Sequence, residues 1–282
     1  MTLRFTMLGC GSSPGTPRPN GDWGACDPSD PKNRRTRASL LVQRLGPDGT
    51  TSVVIDTGPD LREQLIRAHV TDLHATVITH PHADHIHGID DLRTFVLVSG
   101  RRMPVWCDDA TWVRLREGFA YCFEKPLGSQ YPPICERRRI DAYEPFEIDG
   151  PGGSLPVEPL TQHHAKITSL GLRIGDFAYC SDVSAFPSRT FERLRGLDTL
   201  VLGALQYRTH PSHLSVDEAL AVVADLKPRR TVLTHMHIPL DYRTLAEELP
   251  AGVEPGFDGL VVERPSTAAF HNAAYATGVY GS

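Results

Sequence analysis

No run of apolar residues in this chain approaches the roughly 20 that a membrane-crossing helix needs. Residues 1–11 are too short and too polar a start for a secretory leader. Paired CxxC spacing is absent too: the six cysteines stand at 10, 26, 107, 122, 135 and 180. Neither their number nor their spacing suits a disulfide scaffold, so free thiols and a cytoplasmic protein are expected. Positive charge is not in surplus. With 29 Lys and Arg against 34 Asp and Glu the net charge is −5, which argues against bulk attraction to nucleic acid. Local basic runs such as Arg137-Arg138-Arg139 still keep that partner open. Internal repeats and linkers are also missing, so residues 1–264 read as one domain. Residues 265–282, rich in Ala and Gly, read as a tail or as an arm for a partner, a second copy of the chain included.

What is present in excess is histidine, 13 residues, most of them beside turn residues at strand ends. Strand signals fall at residues 3–8, 38–44, 52–55, 75–78, 105–107, 155–160, 169–174, 177–179, 200–202, 231–233 and 260–263. Helical spacing follows Pro59 and covers residues 89–98, 109–121 and 242–249. Ser215-Val216-Asp217-Glu218 is a capping box that opens a helix burying Ala219, Leu220, Val223 and Leu226 and stopping before Pro228. Residues 9–37, rich in Gly, Pro, Asn, Asp and Arg, form a long loop whose specific punctuation suggests function. Residues 125–149 carry a weak pattern and read as an insertion over the site. Two packed sheets with helices outside fit this order better than one doubly wound sheet.

The chemistry concentrates in Thr79-His80-Pro81-His82-Ala83-Asp84-His85-Ile86-His87-Gly88. Side-chain direction in an extended backbone has period two, so His80 and His82 share a side. A turn after His82 lets Asp84 and His85 face the same space. Imidazole and carboxylate suit zinc, manganese or iron. The plainer reading is a surface histidine cluster with Asp84 as a helix cap. Three more candidates stand at the carboxyl ends of apolar runs: His164, Asp182 and His235. Singly, each is a capping or surface residue more often than a ligand.

Together these residues resemble the metallo-β-lactamase superfamily over nearly the whole chain. The resemblance implies an αββα sandwich with a dinuclear site. His80, His82 and His164 would hold one divalent ion, Asp84, His85 and His235 the other, and Asp182 would bridge them. Zinc and manganese both suit this set. An Asp at the bridging position, with no Cys ligand, is similar to the phosphodiesterase branches. His213 resembles the catalytic histidine of tRNase Z and of the PhnP-like group. Gly9-Cys10-Gly11-Ser12-Ser13, Asp56-Thr57-Gly58-Pro59-Asp60 and Gly88-Ile89-Asp90-Asp91-Leu92-Arg93 also resemble that group. Its extra cysteine-cluster zinc site is not expected, since only Cys26 remains of the cluster and Ile238 stands at the histidine position.

The resemblance implies hydrolysis of a small cyclic or linear phosphodiester by water activated between two divalent ions. The substrate expected is 5-phosphoribosyl 1,2-cyclic phosphate or a cyclic nucleotide. Two divalent ions, two carboxylates and a bridging hydroxide leave one positive charge, which suits a phosphodiester monoanion. His213, Asp84 and Asp182 are the expected catalytic residues, with His213 as an imidazolium general acid. Arg34, Arg35 and Arg37 are expected to bind the phosphate, although a solvated basic run needs no function. Asp56 would orient a ligand histidine or serve as a turn residue, and His87, His163 and His237 stand beside ligand positions. Two alternatives are a tRNase Z-like 3′-processing nuclease and a non-catalytic metal-binding accessory protein of the PqqB type.

Overall fold

The computed structural model describes residues 1–265. The expectation for a tail therefore lies outside the described residues. The first half contains β1 (Thr2–Gly9), β2 (Ser39–Gly46), β3 (Gly49–Ile55), α1 (Leu61–Arg67), β4 (Ala75–Val77), α2 (Ala83–Ile86), α3 (Arg93–Ser99), β5 (Met103–Cys107), α4 (Asp109–Phe123) and β6 (Cys135–Arg139). The second contains β7 (Phe146–Ile148), β8 (Leu155–His164), β9 (Ile167–Ile174), β10 (Phe177–Cys180), α5 (Ser188–Arg193), β11 (Thr199–Gly203), α6 (Val216–Leu226), β12 (Arg230–Thr234), α7 (Tyr242–Glu248), β13 (Val253–Pro255) and β14 (Val261–Pro265).

The strands form two sheets of seven, ordered β14-β1-β2-β3-β4-β5-β6 and β13-β12-β11-β10-β9-β8-β7. Each sheet is mixed: β3 to β6 run parallel, as do β10 to β13, and the remaining pairs are antiparallel. The near-continuous apolar character of β2 and β3 follows from burial on both faces. Leu40, Val42, Val53 and Ile55 enter the core between the sheets, whereas Leu41 and Val54 join Leu61, Leu65 and Leu115 of α1 and α4. The stacked rings of Phe5 and Phe177, with centroids 3.7 Å apart, pin one sheet to the other. This is the αββα arrangement of the metallo-β-lactamase sandwich.

Several local expectations change. Residues 125–149 are not an insertion over the site, because β6 and β7 within them are the edge strands of the two sheets. Their pattern looked weak because short, half-solvated edge strands carry charge, as Arg137, Arg138 and Arg139 do on β6. The strand expected to end at residue 160 continues to His164 and turns at Ala165, which has a φ of 51°. The expected 89–98 helix is a short 3-10 turn over Ile89–Leu92 followed by α3. The capping box forms as read: Ser215 Oγ accepts from Glu218 N while Glu218 accepts from Ser215 N. Ser215→Ala should cost about 1 kcal/mol. Thermal unfolding should show a fall of about 2–4 °C in Tm, and an unchanged Tm would deny the box any contribution.

Candidate metal centre

The parallel strands of both sheets deliver their carboxyl ends to one rim, where ligand-bearing loops of α/β architectures gather. His80 follows β4, Asp182 follows β10, His235 follows β12, and His164 closes β8. Asp56, at the end of β3, is fully buried and holds a left-handed backbone with φ 65°. His235 does the same at φ 55°. Such backbone costs on the order of 1–3 kcal/mol and persists where the surroundings impose it. Gly58 lets the next loop pass, since a Cβ there would lie 2.2 Å from the carbonyl oxygen of Asp84.

Behind the centre, each of three imidazoles is aimed by a partner. Asp56 accepts from His85 Nδ1 at 2.7 Å and from the backbone and hydroxyl of Thr79 at 2.8 and 2.9 Å. Thr79 Oγ1 lies 3.0 Å from His80 Nδ1, and His164 Nδ1 donates to the carbonyl of Ser212 at 2.7 Å. With Nδ1 engaged, Nε2 of His80, His85 and His164 turns into a shared space. His80 Nε2 and His164 Nε2 come within 3.0 and 3.2 Å of His82 Nδ1. Across from them, Asp84 Oδ2 lies 3.3 Å from His85 Nε2 and 3.6 Å from His235 Nε2. Asp182 stands between the groups. Its Oδ1 is 3.8 Å from both His80 and His164 and 3.2 Å from His235, and its Oδ2 is 3.3 Å from His85.

The residues fit divalent cations. His85 Nε2, Asp182 Oδ2 and both ring nitrogens of His235 are buried without a hydrogen-bond partner among the described residues. Such groups are costly unless something charged satisfies them. Facing imidazole lone pairs at about 3 Å also repel unless a proton or a cation lies among them. Electrostatics agree. Burial opposes charge on Asp182, yet the imidazoles of His235, His85 and His80 outweigh it and hold the carboxyl well below its usual range. Asp84 is held low in the same way, against burial, by His85 and His235. Burial likewise opposes charge on His85, but Asp182, Asp56 and Asp84 raise it. His80 and His164 are lowered, chiefly by burial.

His213 borders the same space. Its ring stacks on His235 with centroids 4.6 Å apart, and its Nδ1 lies 3.9 Å from Asp182 Oδ1. Burial, reinforced by His235, pushes His213 down to about 3. Both effects favour the neutral ring, so the imidazolium expected of His213 needs an anion beside it.

The three arginines do not form a phosphate clamp. Arg35 is 1% exposed and donates to Asn33 Oδ1 and the carbonyl of Leu240, stapling the 9–37 loop to the segment before α7. Arg37 pairs with Asp60 at 3.0 Å. Only Arg34 remains exposed. A charge run says nothing about burial, so the sequence could not separate these fates. Cys26 of the 9–37 loop meets the segment before α7, where its thiol donates to the carbonyls of Ile238 and Leu240. Among the neighbouring histidines, His87 packs against Phe119 and His163 is exposed. His237 contacts Ser12 and Arg18, a link that spacing did not signal.

Among the described residues the carboxylate of Asp56 hydrogen-bonds Thr79 and His85 alone, so its replacement should act through His85. Asp56→Ala should weaken metal affinity about 10–100-fold. Competition with a chromophoric chelator measures this, and wild-type affinity would show that His85 needs no such support.

Fold and site together define a metallo-β-lactamase-type domain with a centre suited to divalent ions. A model described as a beta-lactamase superfamily domain matches residues 51–236. A diphosphatase of the PhnP family is 36% identical, with a TM-score of 0.84, over 94% of this chain and 98% of that one. The chain therefore belongs to the metallo-β-lactamase superfamily, in its PhnP-like branch. A protein of Porphyromonas gingivalis named octanoyltransferase is 32% identical over 92% of this chain. This chain spans about half, 51%, of that curated relative's length. Zinc-bound PqqB from Methylobacterium extorquens shares the fold at 18% identity, with a TM-score of 0.70 over 92% of this chain and 99% of that one.

Proposed function

We propose that the chain is a dinuclear phosphodiesterase acting on a small cyclic or linear phosphodiester, such as 5-phosphoribosyl 1,2-cyclic phosphate or a cyclic nucleotide. His80, His82 and His164 would hold one divalent ion, Zn2+ or Mn2+, and Asp84, His85 and His235 the other. The observation that carries this reading is the placement of Asp182. Its Oδ2 faces His85 and its Oδ1 faces His80, His164 and His235, so one carboxylate reaches both groups. Bound ions at such a site lower the pKa of water and neutralise phosphoryl oxygens.

The protein's own residues supply the rest. Asp56 and Thr79, with the carbonyl of Ser212, fix the imidazoles so that little reorganises during reaction. His213 delivers a proton to the leaving oxygen. The ring takes up that proton from solvent as substrate binds: a phosphoryl anion set against it favours the charged form that burial alone disfavours. An RNA substrate draws no support from Arg137, Arg138 and Arg139, whose charges are matched by Asp109, Glu136 and Asp141. A panel of bis-p-nitrophenyl phosphate, cyclic ribose phosphate, 2′,3′-cyclic nucleotides and precursor tRNA tests the proposal. Turnover of the small diesters is expected. Turnover of precursor tRNA alone would overturn it, and silence on all four would favour an accessory role.

A further inference from the structure

We infer that Ser169 is a positioning residue of the metal centre: its hydroxyl holds the main-chain carbonyl of Asp182, so that the Asp182 carboxylate stands between the two groups of ligands. This rests on the two-ion reading and deepens it.

The need for such a residue arises from where Asp182 stands in the chain. β10 and its ladder to β11 end at Cys180, two residues short of it. Beyond that point the main chain is fixed by contacts from separate segments. The carbonyl of Val183 accepts from Leu214 N at 2.9 Å. The carbonyl of Asp182 itself accepts from Ser169 Oγ at 2.5 Å. Ser169 is buried in β9, the strand that pairs with β8 and β10. The residue after it reaches across to the first sheet, where Leu170 N donates to the carbonyl of Thr79 at 3.0 Å. Two consecutive residues of β9 therefore grip Asp182 on one side and the residue before His80 on the other.

The partners of the Ser169 hydroxyl fix its direction. It carries one proton, and a carbonyl only accepts, so that proton goes to Asp182. Gln162, fully buried and opposite Ser169 in the β8–β9 ladder, must then present its amide nitrogen, which donates to Ser169 Oγ at 3.1 Å. Room for this amide comes from Gly171, the next residue on the same face of β9. A Cβ there would lie 2.7 Å from Gln162 Oε1. Gln162, Ser169 and Asp182 thus form one chain of hydrogen bonds ending on the peptide that carries the carboxylate. A shift of that peptide moves both carboxylate oxygens, which meet His85 at 3.3 Å and His235 at 3.2 Å. Without the hydroxyl the buried carbonyl loses its donor, and its orientation is no longer set.

Chelator competition and electron paramagnetic resonance with Mn2+ test the assignment without turnover. Ser169→Ala is expected to weaken metal affinity about tenfold or more, the usual scale for a residue that orients a ligand. At two equivalents of Mn2+ per chain, wild type should give the spectrum of a spin-coupled pair and Ser169→Ala that of separate ions. Ser169→Thr, which keeps the hydroxyl, should restore both readouts. Gln162→Leu leaves Ser169 in place but removes the group that turns it, and should weaken affinity in the same direction. Wild-type affinity with a coupled spectrum in Ser169→Ala, or in Gln162→Leu where Ser169→Ala does not fold, would overturn the inference, whatever the change in Tm. Affinity lost in Ser169→Ala and restored in Ser169→Thr, in a protein that takes up a single ion, would instead uphold the positioning role and reject the two-ion reading.

Discussion

Asp182→Ala protein should carry less than a full complement of metal and lose activity on the order of 10³-fold. The magnitude follows from what bound ions contribute, several kcal/mol of charge stabilisation, at about 1.4 kcal/mol per decade of rate. Asp182 is 2% exposed, and its two oxygens are the atoms that approach His85 on one side and His80, His164 and His235 on the other. Removing it also leaves those imidazoles facing one another without an intervening anion. Asp182→Asn is the sharper variant, since it keeps the shape and removes the charge. Elemental analysis should show reduced metal in both, alongside the kinetic loss. Full metal content with full activity in either variant would mean that Asp182 is a structural turn residue.

The second large effect belongs to His213, and its signature is selectivity. His213→Ala should retain both ions, since the contacts that aim His80, His85 and His164 come from Thr79, Asp56 and the carbonyl of Ser212. On a diester with an alkyl leaving group the loss should be about 10²–10⁴-fold, the usual contribution of a positioned general acid. A p-nitrophenolate leaves without a proton, so the same variant should lose far less on a p-nitrophenyl diester. Equal losses on both substrates would remove His213 from the proton-transfer step and leave it as packing against the His235 ring.

Much of this arrangement was legible in the chain because the residues that build it obey local rules. Alternate histidines before a helix, and polar residues at the carboxyl ends of apolar runs, follow directly from side-chain periodicity and from where parallel strands present their ends. His80, His82, Asp84, His85, His164, Asp182 and His235 therefore reach one place. The left-handed turn at Asp56 delivers its carboxylate to His85, so the residue both turns the chain and orients a histidine. What was hidden depends on contacts between distant segments. Arg35 and Arg37 look alike in a basic run, yet one is buried against Leu240 and the other pairs with Asp60. Arg18 and His237 are 219 residues apart, and no periodicity links them. The burial of the His213 ring against His235 is likewise a contact that its flanking sequence does not carry. Edge strands were missed for a related reason: β6 is half-solvated, so its sequence reads as a charged loop.

The two-ion centre is tested most directly by a titration. Chelator-stripped protein is loaded stepwise with Mn2+ or Zn2+ while hydrolysis of bis-p-nitrophenyl phosphate is followed. The expected result is activity that climbs to a plateau with the second equivalent of metal per chain. A plateau already reached with the first equivalent, or no hydrolysis at any loading, would contradict a dinuclear phosphodiesterase.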